Sequence, residues 1–207
     1  MTTPDAIARP LRADARRNRD KIVKGARLAF EELGRDAQME DIARRAGVGV
    51  GTVYRHFPTK EALLRALIVD KMEVMASLAA PFVEQAETDG WEALTGFIRA
   101  CADHSVRDRA LSQALSSEPA STFIEIAMDV GMMQAIAQLL RAAQTQGIAR
   151  KDLVATDVGM LFCGMSAVLQ SFGEDGGPRY LELMLAGMRN GEAPRLPAPP
   201  RVAQPRP

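Results

Sequence analysis

At 207 residues, with 47% hydrophobic and 25% charged side chains, the chain can build one or two helical units with a real core, which excludes a fibre. Lys and Arg equal Asp and Glu at 26 each, but residues 1–60 hold 13 against 8 and the remainder 13 against 18. A basic front joined to an acidic body suits a polyanion-binding module attached to a unit with another task, and it argues against a protein that coats DNA along its whole length.

Apolar periodicity of 3.6 residues recurs almost throughout and sustained alternation is absent, so the predicted fold is all-α, with about nine helices. Residues 1–13 lack periodicity and are expected to form a disordered arm. Ile22, Val23, Ala26, Ala29, Phe30 and Leu33 mark one face of a first helix, which Gly34 stops. Met39, Ile42, Ala43 and Ala46 outline a second, ended by Gly47. A short third spans about Val50 to Phe57, and Pro58-Thr59 resets the chain before a long fourth helix, with Thr59 as its N-cap and Glu61 facing its dipole.

Trp91, Leu94, Ile98 and Cys101 line another amphipathic helix, and the polar stretch from His104 to Pro119 predicts a short helix and two turns. One long helix is then expected over 121–147, another over 155–172 and a last over 178–190, with Pro178 in its first turn. Prolines at 194, 197, 199, 200, 205 and 207 predict a disordered or extended tail over 192–207. The chain therefore divides into a unit over 14–60, a helical unit over 61–191 and a terminal segment at each end.

Residues 38–57 have the size of a helix-turn-helix, whose second helix enters the major groove. Val53 and Phe57, at spacing 4, can pack inward, which sends Thr52, Tyr54, Arg55 and His56 to other faces, where each can meet a phosphate or a base edge. Gly49 and Gly51 permit close backbone approach to a duplex. The pair Arg44-Arg45 and the cluster Arg16, Arg17, Arg19 and Lys21 add cationic groups, the latter at a helix N-terminus where positive charge calls for an external anion.

The run IARRAGVGVGTVYRHFPTKEALLRAL, Ile42 to Leu67, closely resembles the recognition segment of the TetR family of transcriptional regulators, and RYLELMLAGMR resembles a common C-terminal helix of that family. The resemblance implies that Tyr54 and His56 contact DNA backbone or bases, that Thr52 contacts phosphate, that Lys60 clamps phosphate and that Val50 with Gly51 faces base edges. Two positions depart from the usual pattern. Gly49 stands where serine is common, and Gln38, counted among the DNA-contacting residues, replaces a frequent threonine cap, a loss worth about 1 kcal/mol of helix stability. The resemblance makes 14–60 the DNA-binding unit and 61–191 the ligand-binding and dimerisation unit, and the function it implies is a repressor that binds a palindromic operator as a homodimer and is released by a small molecule. The alternatives carried beside it are an activator, a non-specific DNA binder and a helical enzyme using Cys101 and His104.

For the body, flexible thioethers and aromatics suggest an adaptable, largely apolar cavity drawn from Trp91, Phe97, Phe123, Met128, Met132, Met160, Phe162 and Met165, with His104 and Gln113 as polar candidates. Gly159, Cys163 and Ala167 give the 155–172 helix small residues at spacing 4. The resemblance places them with Tyr180, Leu181, Met184 and Met188 in a four-helix dimer interface. Two recognition helices about 34–36 Å apart would then read one palindrome. Two histidines, two distant cysteines and no Cys-x-x-Cys or His-Glu-x-x-His pattern predict no metal, no cofactor and no disulfide framework. No apolar run reaches the roughly 18–20 residues of a membrane helix, and Pro4, Asp5 and several arginines interrupt any signal core, so the expectation is a cytoplasmic protein with no membrane partner.

Overall fold

The computed structural model describes residues 4–173, 175–191 and 194–199, with side chains from residue 14 onward, Ser117 excepted. Among these it holds eleven α-helices, two 3-10 turns and no β-strand. The first helix, α1, runs Pro4–Leu33. The disordered arm expected over 1–13 is thus helical from Pro4, and residues 1–3 lie outside the described residues. Pro4 sits in the first turn, where a missing N–H costs nothing, and the stretch that follows includes Ala6, Ala8, Ala13 and Ala15, the residue type that favours helix most.

The head is completed by α2 (Met39–Ala46), α3 (Val50–His56) and the start of α4 (Lys60–Ser77). Its core is Ile22, Ala26, Phe30, Ile42, Val53, Phe57, Leu63 and Leu67. Close packing of α1 on α2 depends on Gly25, since a Cβ there would meet the Ala46 nitrogen at 2.7 Å. Gly47 ends α2 with φ +65°, the left-handed turn that favours glycine. At the other end of α2 the Asp41 carboxylate accepts the Gln38 backbone N–H at 3.0 Å, so the lost threonine cap is offset from within the helix. The Gln38 amide itself donates to the Asp36 carbonyl.

In the body, α5 (Ala79–Gln85), α6 (Gly90–Arg107), α7 (Arg109–Ala114), α8 (Ala120–Asp129), α9 (Met132–Thr145), α10 (Ala155–Phe172) and α11 (Gly176–Met188) pack around Leu94, Phe97, Ile98, Leu111, Leu115, Ile136, Leu139 and Leu140. The single helix expected over 121–147 is two helices bent by 82°. Gly131 adopts φ +80° and its N–H returns to the Met128 carbonyl, which closes α8 and starts α9 in a new direction. No single helix among the described residues is long and apolar enough to cross a membrane.

Of the predicted tail, 194–199 is non-helical and is held at two points. Arg150 donates to the Pro194 carbonyl at 2.7 Å, and the Leu196 N–H donates to Asp152 Oδ2 at 2.8 Å. That bond and the Arg150 guanidinium hold the Asp152 carboxyl well below the usual carboxylate range, the guanidinium being the larger cause. Residues 192, 193 and 200–207 of the predicted tail lie outside the described residues.

Candidate nucleic-acid interface and effector cavity

On α3 the division anticipated from spacing is realised. Val53 is fully buried and Phe57 nearly so, while Gly49, Val50, Gly51, Tyr54 and Arg55 are exposed and Thr52 and His56 are half-buried. Tyr54 keeps 45% of its surface. Arg55 is folded along its own helix, with Nε donating to the Gly51 carbonyl and one terminal nitrogen donating to Thr52 Oγ1. Arg19 of α1 lies over the Phe57 ring at 5.7 Å, which fixes a cation beside the end of α3.

Three predicted contacts are engaged inside the protein. Arg45 is largely buried and pairs with Glu32 and the Asp41 carbonyl, so it holds α2 to α1 and does not face outward. Gln38 serves the turn before α2. Lys60 donates to the Arg35 carbonyl at 3.0 Å and lies over the Phe30 ring, so it must leave that seat to clamp a phosphate. Arg44 is exposed and pairs with Asp41 one turn away.

Beneath α4 the body contains a cavity of about 410 Å³. Its wall is mainly apolar, with Met72 and Met75 from α4, Phe123 and Ile124 from α8, Met132 and Ile136 from α9 and Phe162 from α10. Of the predicted ligand set, Phe123, Met132 and Phe162 are therefore brought together. The others are not on the wall. Trp91 is buried under the Arg189 guanidinium, Phe97 is core against the Phe82 ring, Met165 packs against Gly177, Met128 and Met160 point to solvent, and Gln113 on α7 and His104 on α6 are half-buried away from the wall. Helical periodicity identifies apolar faces but does not say which of them stop short of their neighbours.

Sequence reasoning missed the polar part of the wall: Lys71, Ser105, Ser112, Ser116 and Glu118, with Ser166 and Gln170 from α10. Lys71 interrupts the apolar stripe Leu67, Lys71, Met75 at spacing 4, and that interruption was the available signal. Only 6% of Lys71 is exposed. Its ammonium donates to Ser112 Oγ at 2.7 Å and stands 3.6 Å from Asp108 Oδ2. Desolvation pushes this lysine below its ordinary range, and Asp108 opposes the shift.

Cys101 and His104 form no nucleophilic pair. Burial pushes the Cys101 thiol up to about 12, and burial also lowers His104, with Lys71 adding to the effect. Iodoacetamide at pH 8 is expected to leave Cys101 unmodified in the folded protein and to alkylate it only in denaturant, as read by peptide mass spectrometry. Rapid native labelling would contradict this burial.

The predicted dimer residues divide. Cys163, Ala167 and Met184 are exposed, and Gly159 and Tyr180 are partly so, whereas Leu181 and Met188 face the core of their own chain. Gly159, Cys163 and Ala167 also border the cavity. The small residue that admits a neighbouring helix closely is Gly164, where a Cβ would lie 2.0 Å from the Tyr180 hydroxyl of α11. Exposed apolar side chains nevertheless remain along both helices, at Met160, Phe172, Leu183 and Met184.

A three-helix head with an exposed short second reading helix, on an α-helical body with its own cavity, defines a helix-turn-helix DNA-binding regulator. Residues 22–67 match the family described as bacterial regulatory proteins, tetR family, and residues 89–190 match the SbtR-like transcriptional regulator C-terminal domain. A TetR transcription regulatory protein of Mycobacterium vanbaalenii is 33% identical, covers 87% of this chain and 100% of its own, and superposes with a TM-score of 0.54. A TetR regulator of Streptomyces coelicolor is 32% identical over 83% of this chain and 98% of its own, with a TM-score of 0.56. An HTH-type transcriptional regulator of Staphylococcus aureus is 37% identical over 65 residues, which is 31% of this chain and 35% of that protein. The match thus spans about a third of the length of that curated relative. The chain belongs to the TetR family of transcriptional regulators.

Proposed function

We propose that this regulator is a repressor that binds a palindromic operator as a homodimer through α3 and is released when a small molecule fills the cavity beneath α4. The observation that carries the reading is the position of α4. Its first residues hold the head through Leu63 and Leu67, and its later residues, Met72 and Met75, are cavity wall, so a guest that moves α4 moves the head. The exposed apolar residues Met160, Phe172, Leu183 and Met184 supply the surface that a second copy would cover, as a two-fold interface requires. The DNA-binding contacts assigned are Val50, Gly51, Thr52, Tyr54 and His56, with Arg44, Arg55 and Lys60 available for phosphate.

Selection of genomic fragments by the purified protein at two salt concentrations tests this. Enrichment of one palindromic motif that survives the higher salt is the expected result. Binding that disappears with salt and leaves no motif would favour a non-specific DNA binder. The position of the motif relative to the promoter separates repressor from activator.

A further inference from the structure

The cavity and the reading head are joined by a chain of charged side chains, of which Lys71 and Asp108 are buried. Lys71 lines the cavity, and Asp108, at the joint between α6 and α7, pairs with its ammonium without itself reaching the wall. Asp108 Oδ2 is also 3.5 Å from a terminal nitrogen of Arg27, which belongs to α1 in the head, and Arg27 Nε is 3.0 Å from Asp70 Oδ2 on α4. These groups are close enough to pair, yet Asp108 Oδ2 and both Arg27 nitrogens make no hydrogen bond. Lys71 has three N–H donors and gives one of them, to Ser112. The cluster is neutral in sum, incompletely bonded, and open to the cavity at its lysine. The other charged side chain on the wall, Glu118, is half-exposed, whereas Lys71 is 6% exposed, so the buried charge that a guest meets is positive.

We infer that the effector is a small organic anion, an apolar or aromatic body carrying one anionic group that pairs with Lys71 beside Ser112, and that this pairing leaves Asp108 to Arg27. A guest anion draws the ammonium away from Asp108. The carboxylate then has one cation left, Arg27, and competes for it with Asp70. Moving Arg27 between Asp70 on α4 and Asp108 on the body shifts α1 against α4, and so moves the head. The inference rests on the effector-released reading proposed above and gives that reading its ligand class and its route.

The test uses two dyes of similar apolar shape with the purified full-length protein: 1-anilinonaphthalene-8-sulfonate, an anion, and N-phenyl-1-naphthylamine, which is neutral. Fluorescence titration should give the anion about tenfold to a hundredfold tighter binding, the range of a charge-assisted hydrogen bond. Lys71→Met should remove that preference and leave the neutral dye's affinity unchanged, which also shows that the cavity has kept its shape. Arg27→Gln should retain anion binding while the anion no longer alters operator affinity measured by anisotropy. Equal binding of the two dyes to the wild type overturns the anion site, whatever the variants do, and leaves an effector cavity of another ligand class. Parallel loss of both dyes in Lys71→Met also overturns it. An intact anion preference with no effect on wild-type operator affinity retains the Lys71 site but sinks the Arg27 route and the effector-release reading together.

Discussion

Replacing Tyr54 by alanine is expected to weaken binding to the selected operator by about tenfold to a hundredfold, the 1–3 kcal/mol typical of one good contact at a base or phosphate, without changing the stability of the fold. The two halves of this expectation come from one geometry. Tyr54 is 45% exposed on α3, and its neighbours in the helix, Val53 and Phe57, already fill the core side. An exposed substitution of this kind normally changes stability by no more than about 0.5 kcal/mol. Fluorescence anisotropy on the operator, with thermal melting and size-exclusion chromatography of the same sample, would read both. Unchanged affinity would remove Tyr54 from the interface, and a matching fall in melting temperature would make it a prop of the helix instead. Val53→Ala should behave in the opposite way, because Val53 is fully buried and unavailable to DNA.

Removal of the Asp108 carboxylate is expected to cost about 3 kcal/mol of folding stability, the lower end of the range for breaking a buried ion pair from one side. Asp108→Ala leaves Lys71, which is almost wholly buried, with Ser112 alone, and deprives Arg27 of one of its two carboxylates. The lower figure applies because Arg27 is a quarter exposed and retains Asp70. Adding Lys71→Met to Asp108→Ala should recover much of the loss, since the orphaned ammonium is then replaced by an apolar chain of similar length. Urea titrations of the two single variants and the double variant would measure this coupling. If the double variant is as unstable as the sum of the singles, Lys71 and Asp108 do not act as a pair. The same removal should change how the head responds to a guest, because Asp108 is the only carboxylate within pairing distance of both cations among the described residues.

The reading face of α3 was legible in the sequence because a short helix needs few facts. Apolar residues at spacing 4 fix its inward side, and the polar and aromatic residues left over must lie elsewhere. The engagement of individual cations was not legible. Arg45 reaches Glu32, thirteen residues away, and Lys60 reaches the Arg35 carbonyl, twenty-five residues away. Which cation is free for DNA thus depends on the crossing of α1, α2 and α4, and no local pattern records that crossing. The bend at Gly131 escaped for a related reason. A glycine within an apolar helical run is tolerated in many helices, and only packing of α8 and α9 on different neighbours makes its left-handed conformation the favoured one.

By itself, the sequence determined that the protein is helical and that its basic front carries a helix-turn-helix module of the TetR type, because periodicity, caps and charge act over a few residues. The tertiary structure alone decided where a cavity opens, which apolar faces line it and that Lys71 is its desolvated charge. It also decided that Lys71, Asp108 and Arg27 form one cluster. Those properties depend on how helices far apart in the chain fill space against one another, and ionic contacts between positions 27, 71 and 108 exist only once that packing has expelled the water between them.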